Sequence, residues 1–453
     1  MGTSGIDWST LASNLTSGTT AGFDVSLIVD EVLASQSQEE TQWQNQETTF
    51  NNQATALQQL STQLQTLLTD ANDLTDPLGS LAAMTTSVSN PNVLSATAGS
   101  GAATGSHSIT VSALATTSSY YSNELASSST TFGTGTITLQ VGSGAAATIT
   151  VDNTDNTLTG LAAAINSQNL GITANVITDA GGARLSLVSN TSGAAGNITI
   201  SSNTTGLSFN LGSNGVDASL TVDGVPIDSS SNTVTSAIPG VTMNLLGLTS
   251  SPVTLQVSPD TSQAATAINN FVSDYNTVIS SINSQCSYNT TTKTAGALLG
   301  DPSVELVQST LLSDVAASVA GNGAISSLAS LGITMNNDGT LTVDSSQLTK
   351  ALGSNFQAVQ SFFQTATTGF AQQLSSDLTN LTSSTNGAIA VDLNGINSSV
   401  SSLQSEISDF QANLATEQQT LTTYYSKINA TLQSLPSLLA TINAQLSSLK
   451  SSS

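Results

Sequence analysis

Apolar residues recur every seven positions near both ends of this chain of 453 residues, and this repeat limits the possible folds more than any other feature. The N-terminal repeat consists of Trp43, Phe50, Leu57, Leu64, Ala71 and Leu78, with a second row at Leu60, Leu67, Leu74 and Leu81. Two rows offset in this way keep one stripe of a helix against a partner helix. The repeat therefore predicts a long helix in a helix–helix seam, and Pro77 should end or kink that helix.

The C-terminal repeat is longer. Its first row consists of Leu393, Val400, Ile407, Leu414, Leu421, Ile428, Leu435, Ile442 and Leu449. Its second row contains Ile396, Leu403, Phe410, Tyr424 and Leu438, with interruptions at Glu417, Thr431 and Gln445. We expect a second long helix here, broken or bent at Pro436.

Both repeats predict contacts with partners, because a single helix in water cannot bury an apolar stripe. The flanking positions of the C-terminal repeat are mostly Ser, Thr, Asn and Gln instead of the Glu/Lys pairs that usually select coiled-coil partners, so shape and apolar register should select the partner. The predicted contact residues are Trp43, Phe50, Leu57, Leu60, Leu64, Leu67, Leu393, Val400, Leu403, Ile407, Phe410, Leu414, Leu421 and Ile428.

Between the repeats, the apolar period falls to two, which is typical of strands. The predicted strands are Ser108–Leu114, Thr136–Val141, Thr148–Val151, Ile172–Ile177, Arg184–Val188, Asn197–Ile200, Ser219–Val222 and Val253–Val257. Thr157–Asn169 is a predicted short helix, and a helical period returns from Asp260. Asn336–Gly339 is a predicted turn that joins the hairpin strands Gly332–Met335 and Thr340–Val343.

Lysine and arginine number only five against 29 acidic residues, which gives a formal net charge of -24. Nucleic acids and anionic membrane surfaces are therefore not expected as partners, because both attract basic proteins. Membrane insertion is not expected either, because no apolar run approaches the roughly 20 residues of a span. Residues 1–22 are expected to form a disordered tail without the features of a cleaved secretory signal, so export would need another route.

The counts of reactive residues argue against an enzyme. His107, Cys286 and Arg184 are each the single residue of their type, so we expect no metal cluster, no cofactor and no catalytic histidine pair. His107 is expected to lie exposed at the end of a strand. Pairs of carboxylates cannot be identified by spacing in a chain with so many acids and so few cations.

Several segments occur in an order that indicates a family. Ala21–Val25 contains Gly-Phe-Asp before the first helix, Ser89–Ala96 leads into Gly105–Ala115, and Leu158–Asn166 follows. The most specific segments are Leu220–Ile227, Ser231–Val234 and Ile238–Thr242, followed by Leu299–Asp301, Leu328–Ile333 and Gly339–Asp344. Together they resemble the flagellar filament cap family, also called flagellar hook-associated protein 2 or FliD. The scarcity of lysine and arginine departs from the family pattern.

The resemblance implies a multidomain α+β fold. Long N- and C-terminal coiled-coil helices would form a leg, with a helical-bundle-plus-hairpin domain and two inserted β-rich head domains. The implied parts are a tail with the start of the first helix (1–34), a helical leg domain (35–85 with 260–390), one head domain (86–130 with 206–259), a second head domain (131–205), and a C-terminal coiled-coil helix (391–453) that is partly disordered when free.

The resemblance also implies a role in assembly. The subunit would leave the cell through the flagellar type III export apparatus with an export chaperone. Outside the cell, at the distal tip of the filament, it would form a homo-oligomeric cap that helps flagellin fold and insert. The contact residues named above would then touch neighbouring subunits or flagellin.

Two alternatives remain open on sequence alone. Another hook–filament junction protein would share the paired terminal helices but should lack the Val222-Asp223-Gly224 and Asn232-Thr233-Val234 segments. A surface adhesin would use its β-rich head domains to bind glycans or host surfaces. Adhesion should survive removal of the terminal helices, whereas capping should not.

Overall fold

The fold was described from a computed structural model, which covers residues 24–450 and their side chains as far as residue 448. The predicted tail at 1–22 lies outside the described residues. The helices are α1 (Val25–Thr75), α2 (Leu158–Ser167), α3 (Thr261–Gln285), α4 (Pro302–Ala316), α5 (Ser345–Gln364), α6 (Phe370–Leu381) and α7 (Ala388–Lys450).

The strands form two β-rich domains and two small hairpins. They are β1 (Met84–Val88), β2 (Leu94–Ala98), β3 (Gly105–Ala113), β4 (Thr117–Ser122), β5 (Gly135–Val141), β6 (Ala147–Val151), β7 (Ile172–Thr178), β8 (Ala183–Ser192), β9 (Ile198–Asn203), β10 (Phe209–Ser213), β11 (Ala218–Val222), β12 (Val225–Ser229), β13 (Thr233–Ile238), β14 (Val241–Leu245), β15 (Val253–Pro259), β16 (Tyr288–Asn289), β17 (Thr294–Ala295), β18 (Ile333–Met335) and β19 (Leu341–Val343).

Helix α1 begins at a side-chain cap and ends where the sequence predicts. Asp24 Oδ1 accepts hydrogen bonds from the backbone N–H groups of Ser26 (3.0 Å) and Leu27 (3.4 Å). Such bonds satisfy N–H groups that have no partner inside the helix. The last residue of α1 is Thr75, two positions before Pro77, so the expected end at this proline is confirmed.

The helical domain packs the second half of α1 against α3, α4, α5, α6 and the start of α7. Its centre contains an aromatic cluster of Phe271, Phe362, Phe363 and Phe370, in which Phe362 stacks on Phe370 with ring centroids 5.5 Å apart. The predicted hairpin is confirmed as β18 and β19. Asn276 on α3 fixes this hairpin by donating to the Leu341 carbonyl (2.8 Å) and accepting from its N–H (2.6 Å).

The first β-rich domain contains a five-stranded sheet in the order β1-β15-β3-β11-β12 and a three-stranded sheet in the order β13-β14-β2. Alternate residues of both sheets, including Ile109, Leu220 and Met243, fill one core. A two-residue turn joins β11 to β12, where Asp223 (φ 52°) and Gly224 (φ 81°) both adopt positive φ. Asp-Gly is a pair of residues that such turns select.

The second β-rich domain is inserted between β3 and β11 and has its own core. It consists of the sheets β10-β4-β8-β7 and β6-β5-β9, with α2 against them. Leu158, Leu161 and Ile165 form the buried face of α2, as its sequence period predicts. The multidomain α+β architecture with long terminal helices is therefore confirmed.

All eight strands predicted from alternation are present, but β1, β2, β4, β10, β12, β13, β14, β16 and β17 were missed. Seven of these nine lie at the edges of sheets, and only β4 and β14 have a neighbouring strand on both sides. Strands such as β1 (Met-Thr-Thr-Ser-Val) are only partly buried and lack an apolar alternation. Pro226 is tolerated in β12 because this is an edge strand, and one of its sides has no neighbouring strand that would need an N–H donor.

Of the predicted break or bend at Pro436, the break is wrong, since α7 runs through this residue from Ala388 to Lys450. Proline removes one backbone hydrogen bond, while the rest of the helical ladder can continue on both sides. The hydroxyl groups of Ser434 and Ser437 also donate to backbone carbonyls within this turn, at 2.7 Å each.

Candidate assembly surface

The two heptad helices pack against each other in antiparallel orientation. Trp43 on α1 meets the ring of Phe410 on α7 edge to face, with centroids 5.3 Å apart and an interplanar angle of 85°. Gln36 contacts Glu417, and Glu47 contacts Gln404. Residue numbers therefore increase along α1 in the direction in which they decrease along α7. Helix α7 has 63 residues and spans about 95 Å at 1.5 Å per residue.

Neutral amides and carboxylates form the polar contacts of this helix pair. Gln404 Nε2 donates to Glu47 (2.7 Å), and Gln411 Nε2 donates to Glu40 (2.6 Å). Gln36 Nε2 donates in the opposite direction, from α1 to Glu417 on α7 (3.2 Å). These bonds were not predicted from the sequence, although the seven-residue spacing of Glu40 with Glu47 and of Gln404 with Gln411 is a usable signal. The register therefore depends on polar contacts as well as on apolar ones.

The predicted contact residues fall into two groups. Leu57, Leu60, Leu64 and Leu67 are buried in the core of the helical domain, where they contact other helices of this chain. The remaining residues lie along the pairing of α1 with α7, or where α7 leaves the helical domain: Trp43, Phe50, Leu393, Val400, Leu403, Ile407, Phe410, Leu414, Leu421 and Ile428. They range from buried at Val400, Leu403 and Ile407 to half-buried at the others.

Beyond the start of α1, helix α7 carries an apolar face that the described residues leave open. We call this face the terminal stripe; it consists of Leu435, Leu438, Leu439, Ile442 and Leu446. Their exposed fractions lie between 43% and 58%. Leu435, Leu438 and Ile442 continue the rows of the heptad repeat, and Leu439 and Leu446 lie beside them on the same face. Tyr424 was expected in the seam, but it is 60% exposed and its ring lies against that of Tyr425.

His107 does not lie exposed at a strand end as expected. It is half-buried within β3, and its Nδ1 lies 2.8 Å from Asp223 Oδ2 in the β11–β12 turn. Asp223 Oδ1 also accepts the backbone N–H of Ser108 at 2.8 Å, and this bond, followed by that to His107, holds the pKa of Asp223 below its usual range. The arrangement fixes the turn against β3, which is a structural role.

Asn232 plays a similar part at the junction of the two β-rich domains. Its Nδ2 donates to the Ala115 carbonyl (3.0 Å), and its Oδ1 accepts from the Ala115 N–H (2.7 Å). Ala115 is the second residue after the end of β3 and precedes the inserted domain. One side chain thus completes the backbone pairing where the chain crosses between domains.

Among residues 24–450, His, Cys, Asp and Glu side chains do not gather in groups of three or more suited to a metal ion. None of the helices described there combines the length and apolarity needed to cross a membrane.

Comparison with known proteins identifies what the chain resembles. The family profile of the flagellar hook-associated protein 2 C-terminus matches residues 215–437, and that of its N-terminus matches residues 21–118. The B-type flagellar hook-associated protein 2 of Pseudomonas aeruginosa is 31% identical over 324 residues, which cover 64% of this chain and 68% of that protein. Flagellar hook-associated protein 2 of Escherichia coli (strain K12) is 27% identical over 425 residues, covering 87% of this chain and 90% of that protein.

A solved structure shows the same architecture. The crystal structure of the D1-D2-D3 domains of the flagellar cap protein FliD from Escherichia coli superimposes with a TM-score of 0.62 at 29% identity. The superposition covers 76% of this chain and 99% of that structure. The core of the second β-rich domain, from Ile137 to Leu207, falls between the two segments that match the family profiles.

Proposed function

The chain belongs to the family of flagellar hook-associated protein 2, the flagellar cap, and from this membership we propose that it assembles with copies of itself at the distal tip of the filament. There the oligomer retains exported flagellin and promotes its folding and insertion. The subunit reaches this extracellular position through the flagellar type III export apparatus, with the help of an export chaperone.

The terminal stripe is the observation that carries this proposal. An exposed apolar face of five large side chains, continuing the period of a helix pair, needs a partner helix to bury it. Flagellin, or the equivalent helix of a neighbouring subunit, would supply such a partner at the growing end. Contacts made by this face order the end of α7 on binding, as in coupled folding and binding.

Gene deletion tests the proposal. We expect a strain without this gene to release soluble flagellin into the medium and to carry short or absent filaments. Purified protein added to the deletion strain should restore filaments. Normal filaments in the deletion strain would contradict the proposal.

Paired substitutions on α7 test the role of the terminal stripe. Leu438→Gln with Ile442→Gln should leave the fold intact, because both residues are exposed, and should raise the amount of soluble flagellin. Ala440→Gln with Ala444→Gln, on the opposite face of the same helix, is the matched control and should assemble normally. Equal activity of both double variants would show that the terminal stripe is not a contact surface.

The alternative functions gain no specific support. The Asp223-Gly224 turn and Asn232, both within segments that a hook–filament junction protein should lack, have clear structural roles in this fold. The similar proteins are named as flagellar hook-associated proteins, and their names do not mention binding of glycans or host surfaces.

A further inference from the structure

Three pairs of aspartates face each other across the helix contacts of the helical domain. Asp70 on α1 faces Asp274 on α3, and Asp314 on α4 faces Asp377 on α6. The third pair joins Asp301, the residue before α4, to Asp392 on α7. Each pair thus lies between two helices, or between a helix and the cap of another, that are far apart in sequence.

Two of the pairs contain a buried carboxylate oxygen without a donor. Asp314 is only 8% exposed, and its Oδ2 is buried without a hydrogen-bond partner among the described groups. Asp70 Oδ2 is likewise buried without a partner. Gln373 Nε2 donates to Asp377 (3.0 Å). In the third pair, Asp301 Oδ1 accepts the N–H groups of Ser303 (2.9 Å) and Val304 (3.3 Å), and the Ser303 hydroxyl lies within reach of both Asp301 (2.7 Å) and Asp392 (3.1 Å). A proton on one carboxyl group would give each pair an O–H donor between its two carboxyl groups.

Among the described residues, the other titratable groups that interact with the pairs carry no positive charge. They are Asp73 with Asp70, Tyr275 with Asp314, and Cys286 with Asp301. The ion pairs found among the described residues join His107 to Asp223 and Arg184 to Glu124, both in the β-rich domains. Two facing carboxylates that are partly or wholly withdrawn from water cannot both stay ionised at low cost.

We propose that each of these three carboxyl pairs holds one shared proton in the folded protein, so that acid stabilises the helical domain. The proton acts as a ligand that binds the folded helices more tightly than the unfolded chain.

The directions of the pKa values agree with this arrangement. Burial, followed by the facing carboxylate, raises the pKa of Asp70 to about 7. Burial and the charge of Asp377 likewise raise the pKa of Asp314 to about 7. Burial and Asp301 raise the pKa of Asp392 as well. Because the folded-state pKa values of Asp70 and Asp314 exceed the unfolded value of about 4, their stabilisation is complete below that value and is lost as the pH rises through about 7. The raised pKa of Asp392 contributes with the same sign.

Helix caps act in the opposite direction and limit the effect at low pH. Hydrogen bonds from neighbouring N–H and hydroxyl groups lower the pKa of Asp24, Asp260 and Asp344. Their contribution is present above the unfolded pKa of about 4 and is lost below it. The stability of the helical domain should therefore be greatest at about pH 4 to 5.

Proton uptake by the full-length protein tests the proposal. Unfolding midpoints in urea would be followed from about pH 4.5 to about pH 7.5 by circular dichroism at the helical band and by Trp43 fluorescence. We expect the midpoint to rise on acidification, with a pH slope that corresponds to proton uptake on folding by the pairs of Asp70 and Asp314 and a further contribution from the pair of Asp392. A midpoint that falls or stays constant on acidification would overturn the proposal.

Single substitutions assign the protons to the pairs. Asp314→Asn and Asp70→Asn should each be more stable than the wild-type protein at neutral pH and should each lower the uptake by about one proton. Asp409→Asn, at an exposed position on α7, is the control and should leave the slope unchanged. If Asp314→Asn does not fold, Asp377→Asn removes the same proton from the half-buried side of the pair.

A cation test separates protons from metal ions. Calcium or magnesium added at neutral pH should not reproduce the stabilisation by acid. If either ion raised the unfolding midpoint as much as acid does, and Asp314→Asn abolished that rise, the pairs would be cation sites and the proposal would be wrong.

Discussion

At the scale of single residues, Asn232 makes two hydrogen bonds to the backbone of Ala115, just before the chain enters the second β-rich domain. Asn232→Ala leaves a part-buried N–H and C=O without partners, which typically costs about 1 to 3 kcal/mol. We expect a loss of stability of this size in urea unfolding. Asn232→Asp, which keeps the acceptor but not the donor, should lie between Ala and wild type. Equal stability of all three proteins would contradict the structural role.

Residue types predicted some of these local features but not their distant partners. The Asp223-Gly224 turn is visible in the sequence because only a few residues adopt positive φ at both positions. The contact of Asp223 with His107, which lies 116 residues earlier in the chain, is not visible in the sequence. The facing pair of Asp70 and Asp274 escaped for the same reason, since spacing along the chain carries no information on which helices meet.

At the scale of secondary-structure elements, two leucines on heptad helices test the difference between core and contact surface. Leu64 on α1 is fully buried, whereas Leu438 on α7 is 56% exposed. Leu64→Ala should leave a cavity and cost about 2 to 5 kcal/mol in unfolding free energy. Leu438→Ala should cost less than about 0.5 kcal/mol.

In assembly, we expect the larger defect for Leu438→Ala, the variant with the smaller loss of stability. Loss of Leu438 weakens the proposed contact while the subunit stays folded, so its defect should appear as soluble flagellin without a shift in unfolding. A large destabilisation by Leu438→Ala would mean that the terminal stripe packs within the subunit.

The reliability of sequence prediction also varied among the elements. Long heptad helices and strands with one apolar face were predicted because burial of one face imposes a period on their sequences. Edge strands such as β1 and β12 have one neighbour and weak alternation, so their pairing becomes visible only in the sheet. At Pro436, the rule that proline ends a helix failed because the remaining hydrogen bonds keep α7 continuous.

At the scale of the whole molecule, the scarcity of cations predicts how assembly responds to salt. The bonds between α1 and α7 use amides and carboxylates, and the terminal stripe is apolar. Binding of flagellin should therefore change by less than about threefold between about 50 and about 500 mM salt, because few attractive ion pairs are available for screening. A steep loss of binding would show that charge contacts dominate. Light scattering or pull-down at several salt concentrations measures the effect.

The pairing of α1 with α7 joins segments that lie far apart in the chain. Glu47 and Gln404, for example, are separated by 357 residues. At about 5 to 20 residues per second, a ribosome needs roughly 20 to 70 s to make the stretch between them. During that time the first helix is already outside the ribosome while its counterpart does not yet exist. Every newly made copy thus passes through a period in which Trp43 and Phe50 lack their final neighbours, which is when a holding protein in the cytoplasm would matter most.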